Sequence, residues 1–146
     1  MDIHRTLRIL VVTDHADPSD ALLEAITHRA ETGEVQFRVV VPNPARAELH
    51  LLHPERHDKA QEAELVLRQA LPLLERAAGG PVIGTVSVRN DPMDAIEETM
   101  FSEPIDEIMI AVAPHGLSTW LHQDLEHRLH HFGLPVTTVT AGSAAR

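Results

Sequence analysis

Short, continuously apolar runs rich in β-branched residues alternate with longer stretches whose apolar residues recur at helical spacing, and this alternation limits the chain to very few folds. Ile108-Met109-Ile110-Ala111-Val112 is one such run, and Leu7 to Val12 is another. A strand that is apolar on both faces belongs inside a parallel sheet covered by helices, because only there are both faces dry. Val35, Phe37, Val39, Val40 and Val41 form a second strand, and Val82, Ile83, Val86 and Val88 a third. Val136 to Thr140 makes the fifth, after Gly133, Leu134 and Pro135 end the preceding helix.

The segments between the strands carry helix grammar. Asp17-Pro18-Ser19-Asp20 predicts a helix with a capping carboxylate and proline at its first position, and Leu22, Ala25, Ile26 and Ala30 give it an apolar face closed by Gly33. From about Asp58, the residues Ala60, Ala63, Leu67, Leu71, Leu74 and Ala78 mark a second helix ended by Gly79-Gly80. Pro72 predicts a kink or an early break within it. Asp91-Pro92-Met93-Asp94 repeats the first helix-start pattern, and Ala95, Ile96, Thr99 and Met100 form the buried face that follows. Leu121, Leu125, Leu129 and Phe132 predict a fourth helix. Five strands and four helices imply one open, mainly parallel α/β sheet, Rossmann-like, with right-handed crossovers. The proline-containing segment 43–54 is the one long irregular stretch, with room for a flap.

A chain of 146 residues is expected to form a single domain, burying roughly 70% of its unfolded surface. It has no cysteine, which excludes disulfides, thiolate metal sites and cysteine nucleophiles and fits a reducing compartment. The charged N-terminal residues lead straight into a strand, and no apolar run approaches the roughly 20 residues of a membrane span. A soluble, cytoplasmic protein without membrane contact is the expectation. Asp plus Glu outnumber Lys plus Arg by 22 to 12, which disfavours nucleic acid, whose affinity comes mainly from phosphate neutralisation. Three Phe, one Trp and no Tyr leave little for base stacking.

In an open α/β sheet, ligands bind at the loops leaving the strands, so the chemistry is expected between Ala111 and Asp124. Two further constellations deserve weighing. Asp124, His127 and His131 are spaced three and four apart and share one helix face, a spacing that can hold a metal, with His115 able to approach from the loop. A solvated face carrying some of the chain's 11 histidines accounts for the same spacing. If all of them titrated near roughly pH 6.5, mild acidification would bring the net charge of −10 to about zero. Ser118 with His115 and Asp124 outlines a nucleophile triad, yet no glycine elbow surrounds Ser118, and helix capping explains it. His50, His53 and His57 form at most a pH-responsive patch in the irregular segment, and Glu97-Glu98 are solvated helix acids.

The chain resembles the universal stress protein family from about residue 7 to 139. The resemblance is carried by Arg8-Ile9-Leu10-Val11-Val12-Thr13-Asp14, Asn90-Asp91-Pro92-Met93-Asp94-Ala95-Ile96, Asp106-Glu107-Ile108-Met109-Ile110 and Leu134-Pro135-Val136. It implies strand order 3-2-1-4-5, a homodimer and, in one subgroup, an ATP site between strands one and four that Asp14 and Val41 would line near the adenosine. The family's phosphate loop aligns its first glycine with Ala111, its second with Pro114 or a neighbour, and its final Gly-Ser or Gly-Thr pair near Gln123-Asp124. Only Gly116-Leu117-Ser118, following His115, keeps the family pattern, and the loop is one residue short.

This departure has a physical consequence. Proline has no N–H for a phosphate oxygen. Asp124 would set a carboxylate against terminal phosphates, and like charges about 4 Å apart at a partly screened site repel by roughly 4 kcal/mol. That is roughly a thousandfold in affinity. Magnesium or a rotated side chain would offset part of it. Adenosine or AMP escapes most of the clash, with Asp14 either bonding a ribose hydroxyl or capping its own loop. The expectation is a non-enzymatic regulatory protein of the universal stress type without an intact ATP loop. Its alternatives are an adenine-nucleotide sensor and a histidine-based metal or pH sensor. The last strand, through Val136, Thr138 and Thr140, is expected to pair with its own copy as a sheet edge, unless residues 141–146 cover it.

Overall fold

A computed structural model describes residues 6–13, 16–42, 56–87, 92–111 and 130–139. The five strands are β1 (Leu7–Thr13), β2 (Val35–Val41), β3 (Ile83–Val86), β4 (Glu107–Ala111) and β5 (Val136–Thr138). They form one sheet in the order β3-β2-β1-β4-β5, as the resemblance implied, and every neighbouring pair is parallel. The α-helices among the described residues are α1 (Asp20–Glu31), α2 (Arg56–Ala78) and α3 (Pro92–Ser102). The sequence-predicted fourth helix lies outside the described residues, apart from its last three.

Alternation along the central strands divides the core in two. Ile9 and Val11 of β1, Phe37 and Val39 of β2, and Met109 and Ala111 of β4 pack with Leu22 and Ile26 of α1 and Ala70 and Leu74 of α2. Leu10, Val12, Val40, Ile108 and Ile110 face the other way and meet Ala95 and Ile96 of α3. Helices therefore cover both faces, and β1, with two partners and two covered faces, is buried along most of its length. This is the physical reason its sequence lacks a polar face.

Local details correct several expectations. Ser19 is the N-cap of α1, with ψ of 158° and its Oγ accepting from the Leu22 N–H at 3.1 Å, whereas Asp17 lies exposed before the helix. Pro18 is buried ahead of the cap and is not the first helical residue. In α3, by contrast, Pro92 does open the helix. Helix α2 runs through Pro72 without ending. Pro72 faces solvent, where water can satisfy the carbonyl that loses its intrahelical donor. Phe132 does not lie on an α-helix: His130–Phe132 is a 3-10 turn closed by Gly133 at φ +71°, and the ring is 39% exposed. Strand β5 stops at Thr138, and Thr140, Val88 and Val112 lie outside the described residues.

Charged groups gather at the amino ends of the strands. Arg8 and Asp106 are joined twice, the Arg8 N–H donating to Asp106 Oδ2 at 2.9 Å and the Asp106 N–H to the Arg8 carbonyl at 2.8 Å. Arg29 of α1 grips Glu107 with Nε at 3.0 Å from Oε1 and a second contact to Oε2. Arg38 of β2 pairs with Glu103. These contacts fasten the turn before β4 to β1, α1 and β2.

Candidate functional site

Strand order reverses at β1. The chain passes from β1 to β2 and β3 on one side, then crosses to β4 and β5 on the other. At such a switch point the connections leave the sheet in opposite directions, and a crevice opens outside the carboxyl ends of the two central strands. In this sheet that position is marked by the last register pair of β1 and β4, Thr13 and Ala111. One flank is the end of β2, where Val41 pairs with Val86.

Two side chains distinguish this end of the sheet. Among the described residues, the buried polar ones are Thr13, fully buried, and Ser87, 4% exposed, and both stand at or just past the carboxyl end of a strand. Ser87 donates its N–H to the Val41 carbonyl at 3.0 Å, extending the β2–β3 ladder by one rung. Its Oγ donates to Glu98 Oε1 of α3 at 2.9 Å. Buried hydroxyls are kept only where they find partners, so these two mark the polar end of an otherwise apolar sheet. The terminal residues Thr13, Val41 and Ala111 are uncharged, while the ion pairs described above lie at the other end of the sheet or across its α3 face.

No protein-family model matches the chain, and no curated protein matches it. Solved structures do. The universal stress protein of Archaeoglobus fulgidus superposes with a TM-score of 0.62 at 19% identity, over 91% of this chain and 93% of that one. The chain carries the universal stress protein fold. The Archaeoglobus fulgidus protein in complex with dAMP gives 0.60 at 18% identity, over 94% and 99% of the two chains. A universal stress protein family member of Arabidopsis thaliana with AMP bound gives 0.54 at 16%, over 94% and 93%.

Of the residues that the sequence assigned to the crevice of this universal stress fold, Val41 and Ala111 are described. Both are buried at strand ends on either side of β1, 1% and 6% exposed. Asp14, Pro114, His115, Gly116, Gln123 and Asp124 lie outside the described residues. So do Asp124 and His127 of the metal candidates, and His131 is exposed in the 3-10 turn. Among the described residues, no group of three His, Cys, Asp or Glu is arranged to hold a metal ion. No described helix is long and apolar enough to cross a membrane. Of the two proposed edge residues that are described, Val136 and Thr138 are both half-buried on β5, which is an outer strand of the sheet.

Sequence reasoning did not single out Thr13 or Ser87. A usable sign was present in each: Thr13 ends an unbroken apolar run, and Ser87 interrupts Val86 and Val88 where a buried strand should stay apolar. A depression of about 320 Å3 on α1, lined by Asp20, Leu23, Glu24, Thr27, His28 and Glu31, contains no strand-end residue. It is a solvated acidic helix face.

Proposed function

We propose that this chain is a single-domain, non-enzymatic regulatory protein of the universal stress type that binds an adenine nucleoside monophosphate between the carboxyl ends of β1 and β4. The observation that carries the reading is the switch point itself, marked by Thr13 and Ala111 and flanked by Val41. Two structures of the same fold, holding dAMP and AMP, support the choice of ligand class. The base would lie toward Val41 and the ribose toward Asp14. The phosphate would meet the loop after Ala111, where Pro114 offers no N–H and Asp124 repels further phosphates. The protein would work in the cytoplasm as a homodimer paired through β5, signalling occupancy of the crevice without turning ligand over.

Calorimetric titration with AMP and then ATP, each with and without magnesium, tests this. AMP is expected to bind at least tenfold more tightly than ATP. Tight binding of ATP would overturn the monophosphate preference, and no binding of either would leave a regulator that acts through protein contacts alone.

A further inference from the structure

We propose that Ser87 and Glu98 are a positioning pair that sets the β2 flank of the crevice for the nucleotide base, a role that rests on the nucleotide reading above. Strand β3 is an edge strand of four residues, paired on one side only with β2. Edge strands this short are among the first elements to open locally. The carboxyl end of β3 is nevertheless fixed at two points through one residue. The Ser87 N–H holds the Val41 carbonyl at 3.0 Å, and its Oγ holds Glu98 Oε1 at 2.9 Å.

The geometry follows from strand alternation. Gly84 faces α2, where an added Cβ would meet the Leu67 side chain, so Ser87, three residues on, points to the opposite face. That is the face α3 covers. Glu98 sits on α3, one turn beyond the buried pair Ala95 and Ile96, and its carboxylate reaches back to the end of β3. A charged acceptor makes this bond stronger than a neutral one would be. The chain of contacts therefore runs from α3 through Ser87 to the last residue of β2, and Val41 is the crevice residue that the base would touch. Neither Ser87 nor Glu98 touches ligand in this scheme; they hold the flank that does.

The test is the AMP dissociation constant of the full chain, with Tm measured alongside, for wild type, Ser87→Ala, Glu98→Ala, Glu98→Gln and Glu97→Ala. Ser87→Ala and Glu98→Ala should each weaken AMP binding by about tenfold, within the roughly 2- to 30-fold by which residues that do not touch a ligand modulate its affinity. The double variant Ser87→Ala/Glu98→Ala should be no weaker than either, because the two residues act as one unit. Glu98→Gln keeps an acceptor oxygen and should bind within about threefold of wild type. Glu97→Ala, which removes a neighbouring charge from the same helix, should leave affinity unchanged. Equal weakening by Glu97→Ala and Glu98→Ala would reduce the effect to general charge and overturn the pair. Unchanged affinity in Ser87→Ala and Glu98→Ala, with wild type binding AMP, would overturn it as well while leaving the nucleotide reading intact. A wild type that binds no AMP would refute both.

Discussion

The Leu67 side chain of α2 lies so close to Gly84 of β3 that an added methyl would have to displace it, and substituting Gly84 measures how tightly the two are packed. A Cβ built on Gly84 would lie 2.7 Å from Leu67 Cδ1, 3.2 Å from Cδ2 and 3.3 Å from Cγ. Leu67 is itself half-buried against the core of that face, and helical rotamer preferences restrict where its side chain can go. Gly84→Ala therefore forces a shift of Leu67 or of α2, at the about 1–3 kcal/mol typical of overpacking. Removing glycine from a strand interior returns about 0.5–1 kcal/mol. The net expectation is a loss of about 1 kcal/mol, or roughly 4 °C in Tm for a domain of this size. Urea unfolding of wild type, Gly84→Ala, Leu67→Ala and the double variant separates this cause from others. Leu67→Ala opens the space and leaves only the gain from replacing glycine, so the double variant should be about 0.5–1 kcal/mol more stable than Leu67→Ala alone, a coupling of about 1.5–2 kcal/mol. Strictly additive effects, or a Gly84→Ala protein as stable as wild type, would show that the close approach is not a constraint.

Four further outcomes are expected. Ser19→Ala should cost about 1 kcal/mol of unfolding free energy in urea, because the Leu22 N–H loses its capping oxygen, while Asp17→Ala should cost nothing measurable. Arg29→Met should cost about 1 kcal/mol, a value held down by the partial exposure of the Arg29–Glu107 pair. The Glu107 hydrogen bond, aided by its charge and opposed by desolvation, raises the Arg29 pKa above the ordinary arginine range. A raised folded-state pKa gives stability that is lost only as pH rises through it, so the Arg29→Met deficit should be equal at about pH 7 and about pH 10. In the proposed homodimer paired through β5, Thr138→Glu would bring like charges together across the twofold axis, and sedimentation equilibrium should show association weakened at least tenfold; a wild type that is monomeric, or a dimer unaltered by the substitution, would overturn that pairing. Phe101→Ser should change stability by less than about 0.5 kcal/mol, since that ring is 89% exposed on the outer side of α3.

The sheet was legible in the sequence because β1, β2 and β4 are covered on both faces, and burial on both faces writes an uninterrupted apolar run. Features set by a single local competition were not. Asp17 and Ser19 are both good capping residues two positions apart, and the extended backbone at Ser19 decides between them. Pro72 reads as a breaker, but its solvent-facing position lets water satisfy the orphaned carbonyl, which lowers the penalty enough for α2 to continue. Phe132 fits a helical repeat in the sequence, yet it lies in a 3-10 turn ahead of Gly133. Val41 and Ala111 could be placed at strand ends because each closes a readable apolar run. The Ser87–Glu98 bond joins residues 11 apart through a turn and a helix face, and no periodicity records such a contact.

The neighbouring strands β1 and β4 come from distant parts of the chain. Ile9 stands beside Glu107, and Arg8 exchanges hydrogen bonds with Asp106 at a separation of 98 residues. Such a pairing carries a large loop-closure cost, because the 98 residues of separation must be looped before the strands can meet. A chain cut before β4 could build β1, α1 and β2 and would still lack the proposed switch-point site. Binding of the proposed nucleotide would therefore require the chain to be folded at least through β4.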